Sequence, residues 1–164
     1  MTLSENERGS TVSDGAVQTQ VPSAAKWLGA SGAIPFIALS FAALSFEGAL
    51  WERACFAIAA YGAVILSFLG GIHWGLAVAE GEQVAGGGER FVRLGGSVVP
   101  SLIGWGALFL STSTGLFVLA AAFAGMLLFD WHASQKARAP RWYPKLRWPL
   151  TGVVVMSLMV AAVA

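Results

Sequence analysis

Residues 94–129 read LGGSVVPSLIGWGALFLSTSTGLFVLAAAFAGMLLF, 36 consecutive positions without a charge. A helix rises about 1.5 Å per residue, so roughly 20 apolar residues cross the ~30 Å hydrocarbon core of a bilayer, and this run is too long for one crossing. In its middle, Ser111-Thr-Ser-Thr-Gly115 supplies a turn. The run therefore divides into two helices, about 94–110 and 115–131, that lie back to back in lipid. Three further uncharged runs, Trp27 to Phe46, Ala54 to Ala79 and Trp148 to Ala164, add helices over about 27–46, 54–79 and 148–163. The expected fold is all-α, an integral membrane bundle of five helices.

Composition agrees. The 164 residues are 56% hydrophobic and only 12% charged, with a mean hydropathy of +0.67, whereas an ordinary soluble domain is about one-quarter charged. Residues 1–25 are rich in Ser, Thr, Gln, Glu and Gly and lack apolar periodicity, so they read as a disordered cytoplasmic tail ahead of a membrane domain over 26–164. The tail is too long, and the run after it too wide, for a secretory signal. Pro35 and Pro100 fall inside helices and are expected to kink them, while Pro149 suits the first turn of the last one. Cys55 is the single cysteine, which excludes an internal disulfide and a cysteine-cluster metal site.

The positive-inside rule orients the chain. Five spans put Arg8, Lys26, Arg90, Arg93, Lys136, Arg138, Arg141, Lys145 and Arg147 on one side, nine of the ten cations, and only Arg53 on the other. The N-terminus is then cytoplasmic and the C-terminus outside. Four or six spans would break that segregation. Trp27, Trp51, Trp74, Trp131, Trp142 and Trp148 fall near the expected interfaces, where indoles concentrate. Trp105, between Gly104 and Gly106, is expected deep in the third helix with an N–H that needs a partner.

Membrane helices associate through small residues that let backbones approach. In the second helix Ala59, Ala63, Ser67, Gly71, Gly75 and Ala79 recur every four residues, and Ala63, Ser67, Gly71 and Gly75 are the expected packing positions, within the bundle or in a homodimer. Gly86-Gly-Gly88 lacks the Lys and Ser/Thr of a phosphate-binding loop and reads as a flexible link.

Several strings together resemble one family. They are Leu28-Gly-Ala-Ser-Gly-Ala-Ile-Pro35-Phe, Tyr61-Gly-Ala-Val-Ile-Leu, Ser67-Phe-Leu-Gly-Gly-Ile-His73-Trp-Gly75, Val99-Pro-Ser-Leu-Ile-Gly-Trp105, Asp130, and Trp142-Tyr-Pro-Lys-Leu-Arg147-Trp-Pro-Leu-Thr151. On these the chain resembles the transmembrane protein 69 family, in bacteria the domain of unknown function 3429. The resemblance implies a small helical protein of the bacterial inner membrane, with eukaryotic relatives in mitochondria. It implies no reaction. Pro144 and Trp148 depart from the pattern.

The sequence offers no catalytic residues: no Ser, His and carboxylate are placed to converge, and metalloprotease spacing is absent. No metal site and no cofactor are expected, since haem ligation by His73 and His132 would need a porphyrin-sized slot that nothing else signals, and a quinone-like ligand has no signature beyond polar groups. Polar chemistry gathers at one depth instead. Counting residues along the helices brings His73, Trp74, Asp130, His132, Tyr143 and Arg147 to the cytoplasmic interface, the candidate ligand site. Lys136, Arg138, Arg141, Lys145 and Arg147, interleaved with aromatics, are expected to lie on anionic lipid headgroups rather than on nucleic acid, because the membrane is the nearest polyanion. The leading expectation is a non-enzymatic protein that binds a lipid or a membrane-complex partner through its cytoplasmic face. A small transporter or channel for a neutral or weakly polar solute is the second reading, and a membrane enzyme or redox carrier the third.

Overall fold

A computed structural model describes residues 23–79, 87–135 and 143–164. Among them are five helices and no strand: α1 (Ser23–Ser45), α2 (Ala49–Ala79), α3 (Gly87–Ala107), α4 (Thr112–Gln135) and α5 (Tyr143–Val163). Gly48 links α1 to α2 with φ of 59°, the left-handed conformation that glycine adopts without steric cost. Its carbonyl accepts the Glu52 N–H at 3.1 Å, and Glu52 places negative charge at the positive end of the α2 dipole.

The Ser/Thr segment does end one helix and start another, with the reversal slightly earlier than expected. Leu108, Phe109 and Leu110 each donate three residues back, to Trp105, Gly106 and Ala107, which tightens the end of α3 into a 3₁₀ turn. Ser111 then caps α4: its carbonyl accepts the Gly115 N–H at 2.8 Å, and its hydroxyl donates to Thr114 Oγ1 at 2.8 Å.

The other starts also come earlier. α1 begins at Ser23 rather than near 27, α2 at Ala49 rather than near 54, α3 at Gly87 rather than near 94, and α5 at Tyr143 rather than near 148, so Pro149 lies inside α5 and not in its first turn. Helix formation does not stop at a charge. Trp51, Glu52 and Arg53 at one end, and Lys145 and Arg147 at the other, keep their backbones helical while their side chains sit at the ends of the bundle.

Four helices are long and apolar enough to cross a membrane: α1, α2, α4 and Lys145–Val163 of α5. In α3 the charges of Arg90 and Arg93 occupy the first turns, leaving an uncharged stretch from Leu94 to Ala107 of about 21 Å. It nonetheless lies alongside α2. A Cβ added to Gly104 would sit 3.1 Å from Ala63 Cα, and one added to Gly70 would meet the Ser97 carbonyl, so the two helices run antiparallel in backbone contact.

Within the bundle these contacts use only part of the expected ladder. Ala63 packs, and Ser67 is half-buried with its hydroxyl donating back to the Ala63 carbonyl at 2.8 Å. Gly71 and Gly75 are exposed, and a Cβ on either would enter open space. A step of four residues overshoots a turn by about 40°, so four steps from Ala59 carry Gly75 about 160° around the helix. The close approach is made by Gly70.

Around these contacts the bundle closes on Phe36, Ile58, Leu66, Leu116, Leu119, Phe123 and Leu158. Phe36 stacks edge-on against Phe123 at 6.0 Å and tilts against Tyr61 at 5.0 Å, while the Tyr61 hydroxyl donates to the Gly32 carbonyl at 3.1 Å. Buried Cys55 meets the Ala161 carbonyl. The surface is the reverse of a soluble protein's: Phe41, Phe56, Phe68, Leu102 and Phe109 are exposed, whereas Asp130, Arg147 and Thr151 are buried. Such a distribution suits lipid outside and polar groups within. Trp105 belongs to that outer surface, paired with Phe109 at 4.8 Å, and is not deep in the bundle.

Candidate functional site

Asp130 is the one carboxylate with no exposure among the described residues. Ionised and dehydrated, it needs donors on both oxygens. It has them: His73 Nε2 lies 2.6 Å from Oδ1, and Arg147 Nε donates to Oδ2 at 2.8 Å. Because a carboxylate only accepts, His73 carries its proton on Nε2 in this arrangement. His73 and Arg147 are 9% and 7% exposed, so the set is a buried His–Asp–Arg triad.

Topology explains the convergence. α2 and α4 run parallel, as Gly62 beside Leu119 and Phe123 and His73 beside Asp130 both record. α5 runs against both, with Cys55 near Ala161 at one end and Asp130 near Arg147 at the other. His73 stands six residues before the end of α2, Asp130 five before the end of α4, and Arg147 four after the start of α5. All three therefore lie one to two turns inside the same end of the bundle. The His73 ring also meets the edge of Phe129 at 4.7 Å, which fixes its orientation from the α4 side.

Only one Arg147 nitrogen faces Asp130. Its Nη2 is buried without a hydrogen-bond partner, and so is Thr151 Oγ1, one turn further along α5. Thr151 is 3% exposed. Tyr143, one turn before Arg147, shares that face, and its phenol pKa is pushed up to about 12, first by burial and then by the Asp130 charge, with Arg147 opposing.

Of the expected site residues, the fold brings together His73, Asp130 and Arg147, with Tyr143 alongside. Trp74 and His132 are not part of it. Trp74 follows His73 by about 100° around α2 and is half-exposed, and His132 follows Asp130 by about 200° around α4 and is exposed. Trp131 and Trp148 instead face each other at 6.4 Å on the outer surface. Arg147 was also expected on lipid headgroups, and burial against Asp130 removes it from that set. Lys145 is exposed, while Lys136, Arg138 and Arg141 lie outside the described residues. Thr151 was not singled out from sequence as a site residue. The signal for Thr151 was present, since Tyr143, Arg147 and Thr151 are spaced by four and so share one helix face.

The triad offers ionic hydrogen bonds and two spare donors. The buried hydroxyl of Ser97 on α3 is engaged elsewhere, donating to the Leu94 carbonyl at 2.6 Å. No group of three His, Cys, Asp or Glu side chains able to hold a metal ion occurs among the described residues.

Comparison with known proteins places the chain. A family profile described as "Protein of unknown function (DUF3429)" matches residues 21–163, and the chain belongs to that family. It is 36% identical over 139 residues to transmembrane protein 69 of Xenopus tropicalis, an alignment covering 84% of this chain and 53% of that protein. The chain thus spans about half the length of the curated relative it matches. No solved structure matches.

Proposed function

We propose that this member of the transmembrane protein 69 family is a non-enzymatic protein of the bacterial inner membrane that binds anionic lipid at its cytoplasmic end. All five helices cross, with the N-terminus inside and the C-terminus outside. The observation that carries the reading is the polarity of the bundle along its axis. Lys26, Arg90, Arg93, His132 and Lys145 lie at the end that holds the triad, whereas Glu47, Glu52 and Arg53 lie at the opposite end. Lys136, Arg138 and Arg141 belong to the same cytoplasmic connection by sequence. A cation near an anionic surface contributes about 1 kcal/mol, so several acting together retain a lipid well.

In this reading the triad is the tie that keeps the basic end in shape. Asp130 joins α2 and α5 through α4, and a buried charge network of this kind specifies geometry more than it adds stability.

The test is native mass spectrometry of protein released from bilayers of equimolar phosphatidylglycerol and phosphatidylcholine. Retained phosphatidylglycerol should dominate, and converting Lys136, Arg138, Arg141 and Lys145 together to Gln should reduce that preference. Equal retention of both lipids by the unaltered protein would refute the proposal.

A further inference from the structure

Between α3 and α4 the bundle opens into a groove of about 350 Å³. The two helices touch at the outer end, where a Cβ on Gly115 would lie 2.5 Å from the Ala107 carbonyl, and they separate below it. Gly96, Pro100 and Ile103 line one wall, and Ala121, Gly125 and Phe129 the other. Gly96 and Gly125 have nothing near the position of a Cβ. The groove is apolar, faces the lipid side of the bundle, and runs along the helices for roughly 12 Å, the rise from Ala121 to Phe129.

Its size limits its occupant. A helix about 10 Å across could insert only side chains into it and cannot lie within it. A flexible hydrocarbon chain can.

Charge lies at one mouth only. Arg93 is three residues before Gly96 and seven before Pro100, which puts it on the groove-lining face of α3. His132 is seven residues after Gly125 and eleven after Ala121, on the groove-lining face of α4, and it is exposed. Measured from the Ala107–Gly115 contact, Arg93 lies about 21 Å along α3 and His132 about 26 Å along α4. Both therefore reach the cytoplasmic boundary. Helical side chains lean toward the N-terminus of their helix, so the long Arg93 side chain extends further toward that boundary.

We propose that the α3–α4 groove holds one acyl chain of an anionic phospholipid, with the phosphate received between Arg93 and His132. The inference rests on the lipid-binding reading above and assigns it a place. It also gives His132 a role that the triad does not. Phe129 couples the two regions, because it lines the groove on one side and meets the His73 ring on the other.

The same lipid-retention measurement tests it with different variants. Arg93→Gln should lower phosphatidylglycerol retention about fivefold, the worth of one cation at an anionic surface, and leave phosphatidylcholine unchanged. Gly125→Leu fills the groove without meeting another atom at its Cβ, so it should lower retention of either lipid while melting as the wild type does. If both variants keep the wild-type preference for phosphatidylglycerol, lipid binds elsewhere and the groove assignment falls while the broader reading stands. If the unaltered protein shows no such preference, both fall. A dimeric unaltered protein that Gly125→Leu converts to monomer would make the groove an interface between copies and overturn the assignment.

Discussion

Replacing Asp130 by Leu removes the acceptor of both buried donors at once. Arg147, 7% exposed and bonded through Nε at 2.8 Å, then becomes a buried cation with no counter-charge. Breaking a buried pair from one side costs about 3–5 kcal/mol, because the remaining charge keeps its desolvation penalty and loses its compensation. His73 also loses its 2.6 Å bond, worth about 1 kcal/mol more. The same physics makes Arg147→Met costly, since it strands the Asp130 carboxylate. Removing both charges strands only His73, which can remain neutral. The double variant Asp130→Leu/Arg147→Met should therefore be more stable than the sum of the single losses by at least ~2 kcal/mol, a coupling of the size seen for groups in direct contact. Unfolding of the four proteins by a denaturing detergent in mixed micelles, followed by circular dichroism, gives the cycle. Strictly additive losses would show that Asp130 and Arg147 do not share a buried network, and the triad would lose its place as the tie between α4 and α5.

Two further outcomes follow from the fold. Gly70→Val and Gly104→Leu push a side chain into the α2–α3 contact and should cost about 1–3 kcal/mol through overpacking, whereas Gly71→Leu and Gly75→Leu enter open space and should melt within about 0.5 kcal/mol of wild type; equal losses for both pairs would place the contact on the wrong face. A reporter active only outside the cytoplasm should work when fused after Ala164 or within 47–53 and fail within 81–90 or 136–142; activity in either basic connection would overturn the proposed orientation.

What the sequence made legible was position along the membrane normal. Charges and turn residues mark helix ends, and a fixed rise per residue converts those marks into depth. That is why His73, Asp130 and Arg147 could be placed at one level before any contact was known. What it left hidden was azimuth. α1, α2, α4 and α5 are apolar nearly all the way round, so in them no amphipathic stripe tells which side meets protein and which meets lipid. Gly70 and Gly71 look alike in sequence, yet one abuts the Ser97 carbonyl and the other is exposed. Trp105 was misplaced for a different reason: α3 ends at Ala107, so this indole lies near the helix end and not deep within it.

Polar residues escape that ambiguity, because in hydrocarbon they gain by facing one another. Asp130 sits at the end of a helix whose other buried positions are apolar, and the α5 face bearing Tyr143, Arg147 and Thr151 is the one that can answer it. The positive-inside rule treats Arg147 as one more cation in a connection, and on that rule alone it belongs in the headgroups. Its spacing from Tyr143 and Thr151 argues the opposite, since three polar side chains on one face of a membrane helix need a protein partner rather than lipid. Where the two rules conflict, the face decides: a cation at the membrane boundary can snorkel to water only if its neighbours on that face do not hold it. Arg147 is held by Asp130, whereas Lys145, two residues away and on another face, remains exposed. The same distinction separates the buried tie of this bundle from exposed Lys145 at the same end, part of the surface proposed for anionic lipid.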